Sequence, residues 1–377
     1  MTKKNIFTAL LLLILTTLAS CIRDEAPNAE CDVLSVKWQN GQDSLLNGNV
    51  KITNNEIVFV VKKETDFKNM PEPEITFGLT PGARIEKDST NRNANGIFQY
   101  YTTYSEDGNW NKMYTAKFIK LPPLDKDHVF RFEDFEPNSN NKYSIWYEIN
   151  SLGIRSDIWA SGNAGYMFTG KGKTPDDFPT ATSDKGFRGK CIRLRTCDTG
   201  SFGKTAGRPI AAGNIFIGEF HSENAMKKPL EATRFGLTIA PAEPVSLTGY
   251  YKYTPGEIFT DKAMKEQPEI RDTCAIYSVL YEVDPVNMVT LDGSDVLSSD
   301  RIVLIAEMQN PGEPDEWTEF EIPYIPANGK AFDKEKLERG EYAITVVASS
   351  SKRGAFFEGA VGSTLYVDEL KINWSDR

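Results

Sequence analysis

Short runs in which apolar side chains take every second position recur along this chain, while the sustained three-to-four spacing of an amphipathic helix is almost missing. In the first stretch the runs fall at 33–38, 50–53, 57–62, 75–79 and 114–120 and are rich in β-branched and aromatic residues. Asn40-Gly41, Asn54-Asn55 and Pro81-Gly82 interrupt them with the residue types that tight turns require. This pattern predicts a small immunoglobulin-like sandwich over residues 31–120. Leu121-Pro122-Pro123-Leu124-Asp125 breaks the ladder, and 121–128 reads as a stiff linker. Strand-like runs resume at 191–196, 214–220, 245–253, 275–282, 301–308, 317–324, 342–349 and 364–373, with long polar loops between them. So many short strands predict a two-sheet jelly roll over 129–377, making the whole chain all-β. One helix is expected: Asp333 can cap residues 334–339, and Gly340 stands where a helix stops.

The N-terminus follows a different rule. Lys3 and Lys4 precede an apolar run from Ile6 to Leu15 that ends in Leu18-Ala19-Ser20-Cys21. The run is too short to span a bilayer, and a Cys directly after Leu-Ala-Ser is the mark of a lipoprotein signal peptide. Residues 1–20 are therefore expected to be removed, leaving Cys21 as the lipidated first residue of a tether, 21–30. Acyl chains on Cys21 would hold the protein to a membrane with no spanning segment. Arg23-Asp24-Glu25 resembles the acidic surface-export signal of Bacteroides-group lipoproteins, which would place the protein on the outer face of the outer membrane.

Composition narrows the chemistry. Hydrophobic residues make up 40% and charged residues 25% of the 377, as in ordinary folded proteins, so wholesale disorder and a multi-span bundle are excluded. The net charge is -10, and removal of Lys3 and Lys4 makes it more negative, so nucleic acid is not an expected partner. The chain has two histidines, His128 and His221, too few for a His-based metal site or an ordinary His-relayed nucleophile. Cys31, Cys191, Cys197 and Cys274 show no metal-ligand spacing. Cys191 and Cys197 stand too far apart along one strand to bridge, so buried free thiols are expected. No glycine-rich phosphate loop occurs, and no cofactor is expected from the motifs.

Several separated phrases in the second region belong together: Trp159-Ala160-Ser161-Gly162-Asn163-Ala164-Gly165, Arg234-Phe235-Gly236, Gly249-Tyr250-Tyr251-Lys252-Tyr253, and Gly359-Ala360-Val361-Gly362 through Asp368-Glu369. Over about 240 residues the chain resembles the putative carbohydrate metabolism domain (PCMD) of Bacteroides surface lipoproteins. That resemblance implies an immunoglobulin-like module followed by a galactose-binding-like jelly roll, with an oligosaccharide or polysaccharide as partner. Related jelly rolls often hold a structural calcium between their first and last strands, which here points to Glu133 and Asp368.

A protein that holds sugars needs flat aromatic faces for the rings and planar polar groups for the hydroxyls. Trp159 and Asn163 in one Gly/Ser-rich loop, Tyr251 and Tyr253 on one strand face, and Arg353 with Glu358 in a second Gly/Ser-rich loop form the expected ligand-binding set. Glycan binding is the first reading. Glycoside hydrolysis is the second; it needs two carboxylates a few ångströms apart, for which Glu219, Glu307 and Glu358 are candidates by their apolar or glycine-rich surroundings. A structural or adhesive surface protein is the third.

Overall fold

The computed structural model describes residues 26–39, 42–46, 50–62, 65–93, 96–120, 125–151, 153–236, 238–284 and 289–375. The signal peptide, Cys21, the Arg23-Asp24-Glu25 segment and the prolines of the linker lie outside the described residues. Among the described residues, no helix is long and apolar enough to cross a membrane.

The first region is a sandwich of two unequal sheets. Strands β1 (Val33–Trp38) and β4 (Ile75–Leu79) pair antiparallel. They face a five-stranded sheet ordered β2 (Lys51–Ile52), β3 (Glu56–Val60), β7 (Asn111–Ile119), β6 (Gly96–Tyr104), β5 (Arg84–Asn93), in which β3 and β7 run parallel. Between the sheets Phe59 stacks on Phe118 with ring centroids 4.3 Å apart, and Trp38 meets both edge-on. Burying rings of this size is the main force closing so small a module.

The second region is a larger antiparallel sandwich of jelly-roll type. Its smaller sheet has the order β9 (Thr180–Ser183), β10 (Cys191–Arg195), β20 (Thr364–Trp374), β13 (Pro244–Thr254), β17 (Thr318–Pro323). Its larger sheet runs β15 (Leu291–Asp292), β12 (Thr233–Phe235), β11 (Asn214–Phe220), β19 (Tyr342–Ser349), β14 (Ala275–Glu282), β16 (Ile302–Glu307), β18 (Ile325–Pro326), with β8 (Trp159–Ala160) on β11 and Thr238–Ile239 on β19, nine strands in all. The main core lies between the sheets. Ile215, Ile217, Ile276, Leu280 and Ile344 of the large sheet meet Leu194, Leu247, Tyr251, Leu365 and Val367 of the small one. The helix Lys334–Glu338 forms where Asp333 accepts bonds from the N–H groups of Glu335 at 2.8 Å and Lys336 at 3.4 Å. Gly340, at φ +71°, ends it in a conformation that a side chain would oppose.

Strands β14 and β19 depart from the alternation of a half-exposed sheet: seven consecutive residues of each are buried. Strands that are buried on both faces read as continuous apolar runs. One face is the core just described. The other carries its own apolar cluster, with Phe216, Phe235, Tyr277, Val279, Val296 and Val347 among its members.

Candidate functional site

The register of the large sheet builds this outer face row by row. Phe216 of β11 is paired with Val347 of β19, Val347 with Tyr277 of β14, and Tyr277 with Glu307 of β16. Cross-strand partners project from the same face, so these four residues form one transverse row. Two residues farther along, Asn214, Ser349 and Ala275 form the next row. Loops rise around the rows and leave a groove with a volume of about 390 Å³. Its rim carries aromatics that strand packing does not require: Phe356 is 54% exposed, Phe202 50% and Phe168 49%. Exposed rings gathered around one depression mark a binding surface.

The segment 350–360 supplies the most constrained wall. Ser351 and Ser363 donate their hydroxyl protons to Oδ2 of the buried Asp272 at 2.6 and 2.7 Å, and the Ala360 N–H donates to the same oxygen at 2.8 Å. Burial pushes the Asp272 carboxyl up, against the opposing pull of these donors. Thr196 shares hydroxyl bonds with Ser350 and Ser351. On this base sits the turn Gly354–Phe356, followed by Phe357 at φ +61°. A phenylalanine in the left-handed region costs about 1–2 kcal/mol, so packing elsewhere must hold it there. The Arg208 guanidinium lies 5.6 Å from the Phe357 ring centroid. At the polar side Glu307 accepts from Lys352 Nζ and Gln309 Nε2, each at 2.9 Å. Among the described residues, the groove thus offers rings, hydroxyls, the cations Arg208 and Lys352, and one carboxylate, Glu307, on a common surface.

The residues expected from sequence are distributed differently. Trp159 is 5% exposed, wedged against Phe130 and Phe132, and its Nε1–H donates to Glu148, which also pairs with His128 at 2.7 Å. It closes the core, and the little of it that is exposed lines a separate depression beside Glu219. Asn163 is fully buried and spends its amide on the backbone of Thr180. Tyr251 and Tyr253 do share a face of β13, but it is the core face, and the Tyr251 hydroxyl donates to the carbonyl of Pro311. The other face carries Tyr250, stacked on Phe187 at 3.7 Å, with Lys252 between Trp317 and Tyr366. Arg353 and Glu358 pair with each other beside the groove and are not among its lining residues. The expected six-residue cleft is therefore corrected: four of its members are core, and two bracket the loop that presents Phe356 and Phe357.

The candidate carboxylates also stay apart. Glu307 alone lines the groove. Glu219 faces His221 at 3.3 Å in a separate, more open depression of about 450 Å³, and Glu358 faces Arg353. Of the two residues expected for calcium, Asp368 accepts the N–H groups of Arg188 and Glu369, and Glu133 accepts that of Lys190, so three of their four carboxylate oxygens are already engaged by backbone donors. Among the described residues, no group of three or more His, Cys, Asp or Glu side chains could hold a metal ion. The four cysteines of the folded regions are free and buried, and burial pushes the thiols of Cys191 and Cys274 up to about 12, which removes them as nucleophiles.

Sequence reasoning missed Phe216, Tyr277, Lys352 and Phe356. A signal was present in the unbroken apolar runs of β14 and β19, which call for cover on a second face, and in the Phe356-Phe357 pair inside a polar loop.

The family model for the putative carbohydrate metabolism domain matches residues 131–373, which contain the whole groove. The chain belongs to this family. It is similar to the crystal structure of a "putative glycoside hydrolase" from Bacteroides thetaiotaomicron, with 41% identity, 94% of this chain and 100% of that chain covered, and a TM-score of 0.64. It is also similar to a "putative glycoside hydrolase" from Bacteroides vulgatus, with 40% identity over 66% of this chain and 97% of that one, and a TM-score of 0.60. No curated protein is a match. The family places the groove in a carbohydrate-related protein.

Proposed function

We propose that the protein binds glycans in the groove on the outer face of the nine-stranded sheet, as a lipoprotein anchored through Cys21 at the cell surface and engaged in polysaccharide capture. The observation that carries this reading is the exposed rim of Phe168, Phe202 and Phe356 above a row that ends in Glu307 and Lys352. Rings accept the weakly apolar faces of sugars, and the ion pair offers both donors and acceptors to their hydroxyls. The family membership supports the same substrate class. Hydrolysis is the second reading, favoured by the description given to the two similar Bacteroides proteins. Against it stands the finding that, among the described residues, Glu307 is the one carboxylate lining the groove, because glycoside cleavage ordinarily uses two, about 5–9.5 Å apart.

A glycan array on the detergent-solubilised protein, followed by titration of the best ligand and a reducing-sugar assay, tests both readings. Binding should appear without sugar release, and Phe356→Ala should weaken it about tenfold, or about 1.4 kcal/mol, with the melting temperature unchanged. Sugar release that Glu307→Gln abolishes would establish the hydrolase instead. Binding that is indifferent to Phe356→Ala and Lys352→Ala would move the site elsewhere.

A further inference from the structure

The groove is chemically divided along its length. At one end the row of Asn214 and Ser349 leads to the Lys352–Glu307 pair. At the other, Phe235, Val296, Leu297, Leu230, Met226 and Phe220 line the walls. Polar groups do occur on these walls, but their protons are already engaged: the Arg208 guanidinium donates to the Met226 carbonyl at 2.6 Å. Ser294 Oγ donates to Asp292 at 2.5 Å, Ser298 Oγ to the Ser294 carbonyl at 3.4 Å, and Thr233 Oγ1 to the Leu230 carbonyl at 3.2 Å.

An unsubstituted sugar carries a hydroxyl on nearly every ring carbon. Seated at this end, it would give up hydration and find few partners in return. A compact apolar group would instead displace water from Phe235, Val296 and Leu297 and lose no hydrogen bond. Resting on the glycan reading of the same groove, we propose that its ligand is a glycan bearing an apolar substituent, an aryl or short acyl group. The sugar lies against the Ser349–Lys352–Glu307 end and the substituent enters between Phe235, Val296 and Leu297. Leu297 is 43% exposed and Met226 38%, so both form the wall of the pocket without being part of the folded core.

The test compares methyl and phenyl β-glycosides of glucose, galactose, mannose and xylose by calorimetric titration of the full chain in detergent. For at least one sugar the phenyl glycoside should bind ten times more tightly than the methyl glycoside. Leu297→Asp should erase the difference, so that phenyl and methyl glycosides bind this variant equally, with the melting temperature within error. Equal affinities of the two glycosides would overturn the substituent and leave glycan binding standing. A phenyl preference that survives Leu297→Asp and Val296→Asp would put the ring elsewhere and overturn the assignment. Binding of benzyl alcohol as tight as that of the phenyl glycosides, with no methyl glycoside or array glycan bound, would overturn the glycan reading itself.

Discussion

On the inner face of the nine-stranded sheet, Ile276, Leu280 and Ile344 meet the side chains of a second sheet; on its outer face, Tyr277, Val279 and Val347 are almost as deeply covered, but by loops. Two sheets interlock along their whole length, and little space survives between them. Loops cover only where their own side chains reach, and between the 199–208, 222–232, 291–298 and 350–357 segments a groove of about 390 Å³ is left. Equal burial of a strand on its two faces therefore conceals two different kinds of cover. One is made for stability, and the other leaves room for a ligand.

The largest effect expected from this difference is on stability. Ile344→Ala removes a fully buried side chain from the sheet-to-sheet core and should cost about 2–5 kcal/mol, read as a lower denaturant midpoint. Under conditions where the variant remains folded, its affinity for the glycan found on the array should stay within twofold of the parent. A stability loss below about 1 kcal/mol, or a lost affinity in the folded variant, would erase the distinction between the two faces.

Asp272→Ala tests how the loop cover is held. It strands the hydroxyls of Ser351 and Ser363 and the N–H of Ala360 in a buried place, at a cost of about 2–3 kcal/mol. Unlike Ile344→Ala, it should also weaken glycan binding in the folded protein, because Phe356 and Phe357 stand on this base. Thermal melts and titrations on both variants separate the two outcomes.

How far the sequence could be read depended on contrast along each strand. Pro244–Thr254 alternates between buried and more open positions, so the grouping of Tyr251 with Tyr253 and of Tyr250 with Lys252 was legible. Which group faces the core was not, since aromatics serve equally well inside a sandwich or on a binding surface. In Ala275–Glu282 and Tyr342–Ser349 the contrast disappears, and nothing local distinguishes a covering sheet from covering loops. Trp159 looked available because Gly and Ser surround it, yet those small residues let the chain turn while the indole reaches inward to Glu148. The Asp333 cap and the Gly340 stop were readable because their causes are local. The groove depends on pairs such as Val347 with Tyr277, set by long-range register that no short window contains.

The small sheet gives a second outer face for comparison, covered in part by the 184–190 segment. Phe187 stacks on Tyr250, and the N–H of Arg188 reaches the fully buried Asp368, whose carboxyl burial raises to about 6 from an ordinary 3.8. A raised carboxyl pKa favours the folded state fully below pH 3.8, and that contribution is lost as pH rises through about 6. Relative to Asp368→Asn, which does not titrate, the parent should therefore lose about 2–3 kcal/mol between pH 4 and pH 8. Paired melts across that range measure it. Parallel stability curves would mean that the 184–190 cover opens readily and that this face is less closed than its contacts imply.

The smallest expected effect concerns the two sides of the loop 350–360. Arg353 is more than half exposed while pairing with Glu358, and Phe356 and Phe357 turn into the groove from the same short segment. Only the arginine is exposed; the Glu358 side chain is 16% exposed, so solvent screens the pair in part and both side chains lose freedom in forming it. A double-mutant cycle with Arg353→Ala and Glu358→Ala should give a coupling of about 1 kcal/mol or less, and Arg353→Ala should leave glycan affinity within twofold. The same titration on Phe356→Ala should show the tenfold loss. If Arg353→Ala instead weakens binding tenfold in a protein that melts normally, the guanidinium reaches the ligand in solution. The groove would then extend past Phe356, and the loop that covers the sheet would itself be part of the binding surface on both of its sides.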